Sequence, residues 1–337
     1  MSSRLTDAES LVLLRQMKAS SQHLHPHLFE RRQFITLSAG ACLALRSAPI
    51  ELALAAESKP RKNTGIQLGF SLYGMKSLTL VDACEACAKI GYESVELTLN
   101  PGFPAEPKLL TPAARRELSQ RLKALNLGLA AMMDNFSLLA EAATHRIHLD
   151  RIKAAAELSR DVAPQTPPLL ETVLGGKPAE WETVKQKMAE QLRAWAAVAA
   201  KEKITIAIKP HVGSAAHLPE HALWLLQQAN SPWIRLAFDQ SHYQLRGLPL
   251  SDTLKALLPH TSFIHVKDAT GEAAKFQFLL PGEGKIDYAD YFERLRKANW
   301  RGPVVVEVSG MIFNKPGYDP IAAARQCFAK LDAARRA

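Results

Sequence analysis

The chain has 337 residues, 47% hydrophobic and 22% charged, with Lys+Arg 42 against Asp+Glu 33. That apolar content can fill a core, which excludes a disordered chain; 17 Gly and 20 Pro without a short period exclude collagen-like and low-complexity classes. The formal charge of +9 raises a nucleic-acid partner as a question, and its distribution along the chain decides the answer.

Residues 1–55 read differently from the rest. Glu30-Arg31-Arg32-Gln33-Phe34-Ile35 sets two arginines ahead of a mild apolar run over 35–45, and Ala53-Leu54-Ala55 follows as an A-x-A cleavage pattern. In that order the features resemble a twin-arginine (Tat) export signal behind a long leader, which implies a periplasmic or extracellular protein. The apolar run is far shorter than the ~20 residues of a spanning helix, so no permanent membrane span is expected. Residues 56–64 read as a linker. The signal holds six basic side chains (Arg4, Arg15, Lys18, Arg31, Arg32, Arg46) and four acidic ones (Asp7, Glu9, Glu30, Glu51). The remaining chain keeps 36 against 29, a net +7 spread along its length, and no nucleic-acid surface is expected.

From Gly65 onward, short runs rich in Val, Ile, Leu and Phe alternate with longer runs of helical spacing. The pattern predicts strands over 66–73, 94–99, 127–133, 169–174, 204–208, 234–238, 262–266 and 303–308. Helices are predicted over 78–90, 113–125, 143–162, 179–201, 219–229, 251–258, 288–298 and 320–334. In the helix over 179–201, Trp181, Val184, Met188, Leu192 and Trp195 form one apolar stripe. Thr111-Pro112 reads as a cap with proline in the first turn, and Gly91 as a C-terminal cap. Cys84 and Cys87 form C-x-x-C inside a predicted helix with no second pair, so they read as a buried helix face. Eight strands each followed by a helix predict an α/β fold, a (β/α)8 TIM barrel occupying 65–337 as one catalytic domain. An open doubly wound sheet lacks the expected G-x-G-x-x-G after the first strand.

In such a barrel the chemistry lies at the C-terminal strand ends. There the sequence places Tyr73, Glu96, Asn100, Asp134-Asn135, Glu171, Lys209-Pro210-His211, Asp239 through His242, His265 through Asp268, and Glu307. Asp239, His265 and Glu307 form a mixed oxygen and nitrogen donor set suited to a divalent cation. Buried carboxylates would repel one another without a metal or a fixed positive group among them.

Four segments carry a family resemblance: Ala237–His242 (AFDQSH), Phe263–Asp268 (FIHVKD), Leu280–Tyr288 (LPGEGKIDY) and Gly302–Val308 (GPVVVEV). They resemble the sugar phosphate isomerase/epimerase superfamily, the xylose isomerase-like barrels, over nearly the whole of 65–337. The resemblance implies a small-molecule carbohydrate substrate, and Mn, Mg, Co or Zn held by Glu, Asp, His and Glu from strands five to eight. Asp239, His265 and Glu307 match three of those positions. At the strand-five position this chain has Lys209, ahead of Pro210-His211, where the family has glutamate.

Two readings follow. In one, the Lys209 ammonium takes the metal's place, pairing with Asp239 and Glu307. In the other, metal persists, with Glu171, His211 or His242 completing its shell. The resemblance implies an isomerase- or epimerase-type enzyme that removes a proton next to a carbonyl. Glu307, Lys209, His211 and Lys267 are the expected catalytic residues, with Glu96, Glu171 and His242 contacting substrate. The alternatives are a sugar dehydratase or lyase, and a non-catalytic sugar-binding relative whose site has decayed at Lys209. Lys267 could also pair simply with Asp268. An endonuclease-like site is disfavoured, because Glu96 and Asp134 stand where zinc-binding histidines would be needed.

Overall fold

The computed structural model describes residues 65–337. The expected export signal over 1–55 and linker over 56–64 lie outside the described residues. Eight parallel strands close into a barrel in the order β1 (Gln67–Ser71), β10 (Pro303–Val306), β7 (Thr261–Val266), β6 (Ile234–Phe238), β5 (Ile206–Lys209), β4 (Leu169–Val173), β3 (Gly128–Met133), β2 (Ser94–Thr98). Every neighbouring pair is parallel, and β2 returns to β1.

The covering helices are α1 (Leu80–Ile90), α2 (Pro112–Ala124), α3 (Ala142–Val162), α4 (Trp181–Glu202), α5 (Pro219–Ala229), α7 (Leu250–Leu257), α8 (Tyr288–Lys297) and α10 (Pro320–Arg336). The expected caps form. Thr111 Oγ1 accepts from Ala114 N–H ahead of Pro112, and Gly91 closes α1 at φ 117°. Cys84 and Cys87 are buried on the α1 face. Among the described residues no helix is long and apolar enough to cross a membrane.

Side-chain alternation places the site. Ala207, Ala237, Phe263 and Val305 belong to the small apolar cluster inside the barrel. The residue two further along each strand faces inward too, and these are Lys209, Asp239, His265 and Glu307. The intervening Ile208, Phe238, Ile264 and Val306 face out and pack in the larger core beneath the helices. The barrel is thus apolar at mid-height and ionic one layer above, at the C-terminal end.

Several elements depart from expectation. The first strand stops at Ser71, and Leu72–Met75 turn into a 3₁₀ segment that lifts Tyr73 over the barrel mouth. Asp239 caps a short helix, α6 (Gln240–Gln244), and Ser309 caps another, α9 (Gly310–Phe313), after the eighth barrel strand. A hairpin of β8 (Asp268–Glu272) and β9 (Lys275–Leu279) follows the seventh strand, between the strand predicted over 262–266 and the helix predicted over 288–298. Its first strand, Asp-Ala-Thr-Gly-Glu, has no hydrophobic run and carries Gly271 at φ 92°, so the strand pattern is visible only in Phe276 and Phe278 of β9.

The last helix is tied to the first strand. Buried Arg335 donates to Ile66 O at 3.0 Å, Glu93 Oε2 at 2.6 Å and Asp332 Oδ1 at 2.7 Å. Arg335→Ala is expected to lower the urea unfolding free energy by about 2–3 kcal/mol, because it removes the charge-assisted hydrogen bonds of a buried guanidinium. Arg294→Ala breaks only the exposed pair with Asp290 and should change it by less than ~0.5 kcal/mol.

Candidate active site

Two lysines organise the ionic layer. Lys209 Nζ lies 3.1 Å from Glu307 Oε2, 3.0 Å from His265 Nδ1 and 3.1 Å from Glu171 Oε1. The contact with Glu171 is an ion pair without hydrogen-bond alignment, so neither Glu171 oxygen has an aligned donor among the described residues. Lys267 Nζ bonds Asp239 Oδ2, Glu307 Oε2 at 2.6 Å and His242 Nε2 at 3.4 Å. Each ammonium therefore faces three partners, and both share one oxygen of Glu307. All of these Glu307 contacts fall on Oε2. Oε1 takes part in none of them.

The neighbours fix the histidine tautomers. His265 Nδ1 accepts from Lys209, so its Nε2 carries the proton and donates to Glu96 Oε2 at 2.9 Å. His211 Nδ1 accepts from Gly213 N–H at 3.1 Å, which leaves the His211 proton on Nε2. The His211 ring lies against His242, with centroids 4.1 Å apart, and Phe278 of the hairpin presents its ring to both and to Lys267.

Electrostatics set the charge states. Burial alone would depress the Lys209 pKa, but Glu171, Glu307, Asp239 and Glu96 together hold it above the ordinary lysine value. Burial would raise Glu307, yet Lys209 and Lys267 hold it well below the usual carboxylate range. Glu171 goes the other way: burial pushes its pKa up, against the pull of Lys209. Burial, reinforced by Lys267 and Lys209, pushes His211 down to about 4, so the ring is neutral at physiological pH. Burial and the charge of Glu307 raise the Tyr73 phenol, which stays protonated.

A cavity of about 350 Å³ opens above this layer, lined by Lys209, His211, Lys267 and Glu307 with Tyr73, Asn135 and Phe278. The four expected catalytic residues are thereby brought together. Glu96, Glu171 and His242, expected to touch substrate, are buried behind the lining residues and do not border the cavity. Asp268 is also reassigned: its carboxylate accepts from Gly282 and Ile286 N–H groups and pins the following loop, while Lys267 turns to Asp239 and Glu307. Phe278 escaped sequence reasoning, although its alternation with Phe276 was a usable signal. Tyr73 stood at a strand end without a role. A larger cavity, about 590 Å³, lies at the opposite end among strand starts such as Gln67, Gly128 and Pro303. Among the described residues it lacks the convergent ionisable groups that mark a reaction centre.

The donor set for a metal can be tested directly. Glu96, Glu171 and His265 offer three ligand atoms within 4.8 Å of one another, a group that could hold an ion. The Lys209 ammonium already touches two of the three residues, Glu171 and His265. The set expected from the resemblance is blocked as well. Asp239 Oδ1 accepts from Ser241 N and Oγ, its Oδ2 from Lys267, and both His265 nitrogens are engaged. At about 3 Å and an effective dielectric of 20, a dication and one ammonium would repel by roughly 10 kcal/mol. Asp239, His265 and Glu307 as arranged do not fit a metal.

The family description "Xylose isomerase-like TIM barrel" matches residues 84–331. Among curated proteins, the chain is 25% identical over 143 residues to inosose dehydratase of Clostridium perfringens, covering 38% of this chain and 47% of that one. It is 28% identical over 160 residues to the putative L-ribulose-5-phosphate 3-epimerase SgbU of Escherichia coli (strain K12), covering 45% and 55%. The matched region thus spans about half the length of these relatives. Among solved structures, the probable 3-DHS dehydratase AsbF of Bacillus anthracis aligns with a TM-score of 0.65 at 16% identity, over 79% of this chain and 98% of that one. The IOLI protein, solved with a zinc atom, aligns with a TM-score of 0.65 at 17% identity, over 79% and 98%. The chain belongs to the xylose isomerase-like TIM barrel family.

The histidine assignment has a measurable consequence. His211 has a folded pKa of about 4 against 6.5, so the unfolded chain binds the extra proton first as pH falls. The resulting loss of stability runs from pH 6.5 down to 4. His211→Gln should flatten that part of the wild-type profile, as read from urea midpoints at pH 7, 5.5 and 4.5. An unchanged difference between the two proteins across that range would remove the assignment.

Proposed function

We propose that this family member is an enzyme of carbohydrate-type substrates that removes a proton from the carbon next to a carbonyl. The observation that carries the reading is the convergence of an ionised carboxylate, a neutral imidazole donor and two ammoniums on one cavity. Glu307 Oε1 is the proton acceptor. The electrons left on carbon move to the carbonyl oxygen, which takes a hydrogen bond from His211 Nε2–H. A neutral imidazole suits this role, because it polarises the carbonyl without losing its own proton. The positive charges of Lys209 and Lys267 lie beside the developing enediolate. The protonated Tyr73 phenol is placed to donate to a substrate hydroxyl.

With Lys209 at the strand-five position, only one carboxylate among the described residues borders the cavity. Exchange of a proton between opposite faces of a carbon calls for a second base, so a single-base course is favoured: transfer on one face, or loss of a neighbouring hydroxyl as water. The dehydratase names among the relatives support the second of these, and the epimerase name keeps proton transfer in view. The export signal read at the N terminus would place this chemistry outside the cytoplasm, on unphosphorylated substrates.

Solvent deuterium exchange tests the reading with inosose, 3-dehydroshikimate and free ketoses as probes. Incorporation of deuterium, with or without release of water, is expected for at least one class. Glu307→Gln should slow exchange about 10²–10⁴-fold and His211→Gln by a factor at the lower end of that range. Binding of a sugar without exchange would instead favour the non-catalytic relative.

A further inference from the structure

We infer that Lys209, assisted by Lys267, is a built-in replacement for the divalent cation of this barrel family, and that this chain excludes metal from its site. Charge balance makes the first argument. A glutamate at position 209 would carry one negative charge and the lysine carries one positive, a change of two units, which is the charge a divalent ion brings. The ionic layer with Lys209 and no metal therefore has the same formal charge as a glutamate-containing layer with its metal. A metal in addition to Lys209 would overshoot that balance by two.

Geometry makes the second argument. The ammonium stands where a cation would collect its donors: 3.1 Å from Glu307 Oε2, 3.0 Å from His265 Nδ1 and 3.1 Å from Glu171 Oε1. Lys267 takes the remaining acidic ligand, Asp239, and shares the same Glu307 oxygen. Every residue of the expected metal set is thus bonded to an ammonium. Each ammonium is buried, 1% and 2% exposed, so neither pairing can be exchanged for water without reopening the layer.

Chemistry makes the third. A metal ion offers an open coordination position to a substrate oxygen, whereas each ammonium here already faces three protein partners. Lys267, hydrogen-bonded to Asp239, Glu307 and His242, acts on the substrate through its field; Lys209, whose contact with Glu171 is an ion pair without hydrogen-bond alignment, adds its charge beside it, and His211 Nε2–H is the neutral donor to the substrate. This last step rests on the proposed function; the exclusion of metal does not.

The experiment measures metal, not turnover. The purified full-length chain is equilibrated with Co2+, Mn2+ or Zn2+, freed of unbound ion by gel filtration and analysed for metal content. Far less than stoichiometric metal is expected. Lys209→Glu, shown to be folded by circular dichroism, is expected to bind Co2+ at least about 100-fold more tightly than wild type by calorimetry, with visible absorption bands of a protein-bound ion. Stoichiometric, tightly held metal in the wild type overturns the inference. So does a folded Lys209→Glu chain with no gain in affinity. If that variant does not fold, Lys209→Gln takes its place; a smaller gain is expected, and no gain at all overturns the inference in the same way.

Discussion

One carboxylate oxygen, Glu307 Oε2, accepts from two buried ammoniums, and the organisation of the site follows from that shared contact. Lys209 reaches it from the fifth barrel strand and Lys267 from just beyond the seventh. Their second contacts then spread outward: Lys209 to His265 and Glu171, Lys267 to Asp239 and His242. His265 passes the chain on to Glu96 across the barrel. Four carboxylates could not be packed together above an apolar layer without compensating charge, and the two lysines supply it from within the chain.

The barrel makes that compensation possible. Parallel strands deliver inward-facing residues at the same height from all sides. The mid-height layer of Ala131, Ala207, Ala237, Phe263 and Val305 forms a buried apolar floor beneath the charges. The hairpin after the seventh strand covers them from one side, with Phe278 against Lys267, His211 and His242. Field strength, tautomer and charge state in the cavity are consequences of this enclosure, since a less polarisable surrounding strengthens every remaining interaction.

Relatives in the family carry the names dehydratase and epimerase. A shared fold with different outcomes is expected when the outcome depends on which group returns or withholds a proton, and from which face. In this chain the strand-five residue at the barrel mouth is a lysine, Lys209. Its positive charge lies among Glu171, His265 and Glu307 and so sets the charge balance of the ionic layer.

The eight strand and helix periods, and the meeting of Lys209, Asp239, His265 and Glu307 at the C-terminal strand ends, were legible in the sequence. They depend on alternation and spacing, which are properties of neighbouring residues. The partners of each charge were not legible. Lys267 could have paired with its neighbour Asp268 and Lys209 with Asp239; instead Lys267 takes Asp239, and Asp268 turns to loop N–H groups. Nor could the sequence place Glu96, Glu171 and His242 behind the cavity wall, or Phe278 on it. Such contacts join residues up to 169 positions apart. Barrel closure and the fold of the hairpin bring them within hydrogen-bond reach, and neither has a local signature in the chain.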